Sequence, residues 1–364
     1  MSHPGEEFKS ALTVNDGIPQ PPSVNEESVK HFKSKIRKQL TVEEYVTGIL
    51  QQNRTILSQA ITLIESSLPK HQEIAQKIIE ACLPNTKEAF RIGITGVPGV
   101  GKSSFIESMG MHVISSGNKL AVLAIDPSSE RSGGSILGDK TRMEQLSAHP
   151  DAFIRPSPSS GSLGGVARKT RETIYLCEAA GFDVIFIETV GVGQSEIAVH
   201  SMVDFFLLLM LSGAGDELQG IKRGIMEMAD VIAITKADGS NVDKALRAKS
   251  EYQSALHLFP STDSGWNPKV HTCSAHTNIG ITELWNTIED YISLTKENGF
   301  FLSNRIRQSS YWMHQTIQEG IKNHFYENEI IKDKIKIIEN EVLKGKISSF
   351  EAAQILLNQY FRIR

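Results

Sequence analysis

The chain has 364 residues, 40% of them hydrophobic and 22% charged, with a formal net charge of −4 at pH 7. That is enough apolar content for one large domain with appendages or two modest ones, and the missing basic excess excludes nucleic acid as a main partner. Three scattered cysteines, Cys82, Cys177 and Cys273, with no CxxC pair, exclude a disulfide framework and a thiolate metal site and read as reduced, buried thiols.

Residues 1–30 hold Glu6, Glu7, Asp16, Glu26 and Glu27 beside several prolines. They lack the apolar or Arg-rich pattern of a targeting segment, so a solvated tail and a cytoplasmic location are expected. Residues 31–84 form an N-terminal helical segment: Thr41 and Glu44 make a capping box, and CLPNT ends the pattern with Pro84 and Asn85. From 85 to 295 short apolar runs alternate with helix-length polar stretches, the texture of βαβ units. Strands are expected at 91–95, 121–126, 183–188, 205–211, 231–235 and 269–273. The run FFLLLMLSGAG from Phe205 is about half the length that crosses a bilayer, so it reads as a buried strand and no membrane span is expected. The fold class is α/β, a P-loop NTPase with a mainly parallel sheet covered by helices on both faces. Past about Ile281 three helical stretches are expected, and 296–364 form a C-terminal helical arm. In its last stretch, ISSFEAAQILLNQYF, Ser348 and Glu351 make another capping box, and Phe350, Ala353, Leu356, Leu357 and Tyr360 share roughly one face. Such a helix packs on its own domain or makes a subunit contact.

Gly96-Val97-Pro98-Gly99-Val100-Gly101-Lys102-Ser103 fits GxxxxGK[ST] without a gap, between a strand and a helix. Glycines let backbone N–H groups curl around a β-phosphate, the helix N-terminus adds its positive end, Lys102 neutralises β and γ oxygens, and the Ser103 hydroxyl suits Mg²⁺. Mg²⁺ wants further oxygen ligands. Asp126 and Glu188 stand at strand ends and Asp139 in the intervening loop as candidates. Glu188 and Gly191 form D/E-x-x-G, whose glycine N–H can meet a γ-phosphate. Val192 follows where many small GTPases have a water-orienting glutamine, and Gln194 comes later, so slow intrinsic hydrolysis is expected.

After an apolar strand, Thr235-Lys236-Ala237-Asp238 is close to N/T-K-x-D, in which the carboxylate accepts from guanine N1–H and the exocyclic amine. Adenine lacks that donor pair. Lys236 lies along the base plane in this reading, and Ser274, Ala275 and His276 are similar to the S-A-K loop that offers N–H to guanine O6.

Together GVPGVGKSS, AIDPSSERSGGSILGDKTRM, IETVGVGQSE, LSGAGDELQGIKRGIMEMAD, TKADG and CSAH resemble the MeaB/MMAA (ArgK-like) GTPases, chaperones of adenosylcobalamin-dependent acyl-CoA mutases, chiefly methylmalonyl-CoA mutase. The resemblance runs from about Leu40 to the C-terminus. It implies GTP/GDP and Mg²⁺ as ligands, with Mg²⁺ and phosphate roles for Lys102, Ser103, Asp126, Asp139 and Glu188. It implies three switches, at 126–143, 188–196 and 215–222, the last with Lys222 facing the partner or the active site. It also implies a homodimer built through the C-terminal arm. Three positions depart from the common pattern: Thr235 for Asn, which removes an amide that braces the loops, His276 for Lys, and Ser104 for Thr. Two other readings share the phosphate loop. A nickel or cobalt metallochaperone would need clustered ligands, for which His271 and His276 are the nearest pair, and an ATP-dependent small-molecule kinase would need adenine in place of guanine.

Overall fold

The computed structural model describes residues 40–126, 143–158, 163–189, 195–213 and 223–362. The described residues from Val42 onward belong to one compact unit. The first helices are α1 (Val42–Leu50), α2 (Arg54–Glu65) and α3 (Pro69–Cys82). Asn53 starts α2 by accepting from the N–H groups of Thr55 and Ile56, and Pro69 opens α3 where its missing N–H costs nothing.

The sheet is built from β1 (Phe90–Gly96), β2 (Leu120–Asp126), β3 (Ala152–Pro158), β4 (Val184–Thr189), β5 (Phe205–Leu211), β6 (Val231–Thr235) and β7 (Lys269–Thr272). Its order is β3-β2-β4-β1-β5-β6-β7, and every pairing is parallel. Six strands lie where the sequence puts them; β3 was not expected. Between them run α4 (Lys102–Ser115), α5 (Glu144–Ala148), α6 (Leu163–Ala179), α7 (Ser195–His200), α8 (Arg223–Glu227) and α9 (Val242–Leu256). The chain closes with α10 (Ile281–Glu297), α11 (Phe300–Glu327), α12 (Glu329–Leu343) and α13 (Ser349–Arg362), four helices where three stretches were expected. Among the described residues no helix is long and apolar enough to cross a membrane.

Both faces of the sheet are covered, as β5 makes plain. Phe205, Leu207 and Leu209 join one core, with residues of α4 and α10; Leu208 and Met210 join another, with Met226, Ala245 and Tyr252. Alternate side chains of a strand point to opposite faces, so the continuous apolar run of β5 serves two cores at once. All three cysteines are buried and free. In α13 the Ser348 hydroxyl accepts from the Glu351 N–H at 3.1 Å, one half of the expected box. Phe350 departs from its expected face: it is 87% exposed, while Ala352 is buried.

A parallel sheet places ligands at the carboxyl ends of its strands, where the chain order reverses. Here β1 is flanked by β4 and β5, so the turn after Gly96 stands at that point.

Candidate functional site: a phosphate loop locked to a base loop

The turn from β1 into α4 needs left-handed backbone at Gly99 and Gly101, with φ of 76° and 90°, which residues with a Cβ avoid. Val100 between them is buried and anchors the loop, and the Phe105 N–H reaches Gly101 O at 2.9 Å to start the helix. Lys102 Nζ donates to Gly96 O at 3.0 Å, so the ammonium closes over its own loop. Burial pushes the Lys102 ammonium below the usual lysine range, and the carboxylates of Glu188 and Glu196 pull it back up. Both carboxylates therefore lie close enough to act on the Lys102 charge. Ser103 and Ser104 stand in the first turn of α4, half-buried and exposed respectively.

Glu188 is buried at the end of β4, in register with Ile94 and Ala124. Beside it the hydroxyls of Thr189 and Thr95 meet at 2.7 Å and tie β4 to β1 above the phosphate turn. Asp126 ends β2, and its side chain lies outside the described residues, as do Asp139, Gly191, Gln194 and Lys222 and most of the three expected switches. Glu196 was read only as the end of the second switch. It is 2% exposed in α7, and its Oε2 has no hydrogen-bond partner among the described residues.

On the base side, Thr235 Oγ1 lies 2.8 Å from Val100 O and 3.3 Å from Met210 O, sharing its proton between two carbonyls. The exchange of Asn for Thr was expected to remove a brace; the hydroxyl supplies one, straight onto the phosphate loop. Lys236 adds a second, Nζ to Gly99 O at 2.8 Å. Its φ of 56° is costly for a residue with a Cβ, and two bonds hold it there. Asn241 Nδ2 donates to Lys236 O at 2.7 Å, and the Ala237 N–H donates to Cys273 O at 3.0 Å. Asn241 Oδ1 in turn accepts from Ser212 Oγ at 2.8 Å. Asn241 precedes α9 and looks like a helix cap in the sequence, yet it makes no cap bond.

The Ser274 hydroxyl donates to Asp238 Oδ2 and accepts from the Thr277 N–H at 3.2 Å. Ser274 thus stands beside Asp238, and Ala275 and His276 follow it in the same loop. Asn278 accepts from Ser108 Oγ and links this loop to α4. A cavity of about 720 Å³ runs along the same side, bordered by Ser104, Met111, His112, Gln145, Ala275 and His276. His271 does not join His276; its Nε2 lies 3.1 Å from Thr287 Oγ1, and burial lowers its pKa. Among the described residues no three His, Cys, Asp or Glu side chains are grouped to hold a metal. The donors described near Lys102 include the Ser103 hydroxyl and the Glu188 and Glu196 carboxylates, hard oxygens of the kind Mg²⁺ takes.

Comparison with known proteins agrees with this geometry. The family model described as "Methylmalonyl Co-A mutase-associated GTPase MeaB" matches residues 57–330. "GTPase ArgK" of Escherichia coli (strain K12) is 47% identical over 289 residues, covering 79% of this chain and 87% of that protein. "Methylmalonic aciduria type A homolog, mitochondrial" of Mus musculus is 46% identical over 334 residues, covering 89% of this chain and 80% of that protein. A solved structure titled "Crystal structure of LAO/AO transport system kinase" superposes with a TM-score of 0.70 at 37% identity, covering 88% of this chain and 97% of that one. With the match spanning both the phosphate loop and the base loop, this chain belongs to the family of methylmalonyl-CoA mutase-associated GTPases, MeaB, and is itself a P-loop GTPase.

Proposed function

We propose that this GTPase serves as a chaperone of an adenosylcobalamin-dependent acyl-CoA mutase, methylmalonyl-CoA mutase first of all, and that its nucleotide state gates cobalamin loading, protection and reactivation of that enzyme. The observation that carries the reading is the family match over residues 57–330, which includes the loops that carry Lys102, Asp238 and Ser274.

In this reading Gly96 to Ser104 receive the phosphates, with Lys102 leaving Gly96 O for the β and γ oxygens. Asp238 accepts from guanine N1–H and the amino group, and Ser274, Ala275 and His276 border the base. Ser103 and Glu188, joined by Asp126 and Asp139, would hold Mg²⁺; the oxygen donors already beside Lys102 fit that ion, which would neutralise phosphate charge. Gly191 meets the terminal phosphate and Lys222 faces the mutase. The protein works as a homodimer through its C-terminal helices. A groove of about 670 Å³ lined by Ile321, Phe325, Ile338, Ala352, Leu356 and Tyr360 supports that, as does the row of exposed apolar side chains Leu302, Ile306, Met313 and Ile317 on α11.

The basal rate is slow and rises with the partner, because Val192 stands where a water-orienting glutamine is common. Turnover of GTP by the full chain, measured with and without methylmalonyl-CoA mutase, should rise by about tenfold or more when the mutase is present, within the usual range of coupling between sites. Equal rates in both conditions would overturn the chaperone reading.

A further inference from the structure

We infer that Glu196 is a catalytic residue of GTP hydrolysis: its carboxylate holds the attacking water and takes up its proton, in the role that a glutamine after Gly191 fills in many small GTPases.

Three observations meet at this side chain. The first is its direction. Helix α7 packs on β1 and β4, and Val199 lies against Gly93 of β1, where an added Cβ would come within 2.9 Å of Val199 Cγ1. Residues three apart share a helix face, so Glu196 faces β1 one turn earlier, nearer the end of the strand that carries the phosphate loop. The second is its unmet bonding capacity. The residue is 2% exposed, and Oε2 is buried with no hydrogen-bond partner among the described residues, a costly arrangement for a carboxylate unless something docks there. The third is its charge, since the Glu196 carboxylate, after that of Glu188, raises the Lys102 pKa. In the proposed function Lys102 meets the β and γ oxygens, so a carboxylate close enough to act on its charge lies toward the γ-phosphate. Glu188, at the end of β4, is the other carboxylate on Lys102, and it is the one placed to serve Mg²⁺. Close to Val192 in the sequence, the other polar side chain that could take this role is Gln194.

In the step assigned here, the water oxygen bonds to the γ-phosphorus as the bond from that phosphorus to the β–γ bridging oxygen breaks. The electron pair of the broken bond leaves with GDP. One water proton passes to Glu196 Oε2 and from there to the departing phosphate, which regenerates the carboxylate.

The inference rests on the placement of phosphates at Lys102 in the proposed function, and the two fail differently: an unaltered chain that binds no GTP sinks that placement, whereas hydrolysis by the variants addresses Glu196. The full chain and its Glu196→Gln, Glu196→Asp and Gln194→Ala variants are compared in single-turnover GTP hydrolysis, in GTP and GDP affinity, and in trapping of GDP by aluminium fluoride. Glu196→Gln should lose roughly 100-fold or more in rate, the usual size of a general-base contribution, while both affinities stay within about threefold. It should also fail to trap GDP with aluminium fluoride, a readout that a merely structural role would not move selectively. Glu196→Asp keeps the carboxylate at a shorter reach and should fall by about tenfold with GTP affinity intact; it decides the question if the Gln variant does not fold. A rate within about threefold of the original in Glu196→Gln or, failing that, Glu196→Asp would overturn the inference, as would parallel loss of rate and affinity or a loss of roughly 100-fold confined to Gln194→Ala.

Discussion

Thr235 shows how one hydroxyl can stand in for an amide. Its Oγ1 reaches both the phosphate loop, at Val100 O, and the end of β5, at Met210 O, from a position that is 4% exposed. Replacing it by the isosteric valine keeps the packing and leaves a carbonyl without its donor, which costs about 1–3 kcal/mol. Thr235→Val should therefore lower the thermal midpoint and weaken GTP binding together, as measured by calorimetry. A lowered midpoint with unchanged GTP affinity would show that the brace does not serve the nucleotide. Lys102, Thr235 and Asp238 were legible because their motifs are contiguous and sit at strand ends. Asn241 and Glu196 were not: each acts on a residue distant in the chain, Asn241 on Ser212 and Glu196 on Lys102, and nothing local distinguishes them from a helix cap and a first-turn acid.

Among the elements, β3 escaped the sequence reading because AFIRPSP carries two prolines, which argue against a strand in the middle of a sheet. Among the described strands it is an edge strand, paired with β2 alone, where a missing N–H is tolerated. The six other strands are apolar enough to be recognised without knowing their partners. How α11 is fixed to the sheet could not be read from sequence either. Arg91 in β1 meets Glu178 of α6 at 2.8 Å with both side chains about 5% exposed or less, and Arg305 of α11 meets Asp204 at 2.6 Å and Glu178 at 3.8 Å. Asp204 also accepts the Arg91 N–H, so two cations and two anions balance across four segments. Burial raises the Glu178 pKa while Arg91 and Arg305 hold it down. Arg305→Ala leaves two buried carboxylates short of a cation and should cost about 3 kcal/mol or more in denaturant unfolding. A change near zero would mean that solvent takes over the role of Arg305.

At the scale of the whole molecule, the parallel α/β class follows from the alternation of apolar and polar runs, but the strand order does not, because it is set by packing between distant segments. The same scale carries the pH dependence of stability. Burial pushes the Asp230 carboxyl up to about 7, against a bond from the Phe206 N–H that favours its charge. The folded protein thus holds a proton there that the unfolded chain, titrating at the ordinary value of 3.8, has released. The stability linked to Asp230 is full below that ordinary value and is lost as pH rises toward 7. Asp230→Asn should remove this dependence and raise the thermal midpoint more at pH 8 than at pH 5, values that bracket the titration. A midpoint gain equal at the two pH values would contradict the assignment.

The double clamp of Thr235 and Lys236 on the phosphate loop has a consequence for ligand discrimination. In the nucleotide site proposed above, the purine side would be preorganised, with Asp238 already oriented by Ser274 and Lys236 already pinned by Asn241. GDP and GTP would then meet the same nucleoside seat, and their binding free energies would differ only by what happens around the last phosphoryl group. Substitutions in the nucleoside seat should shift both affinities in parallel, and their ratio should follow Lys102.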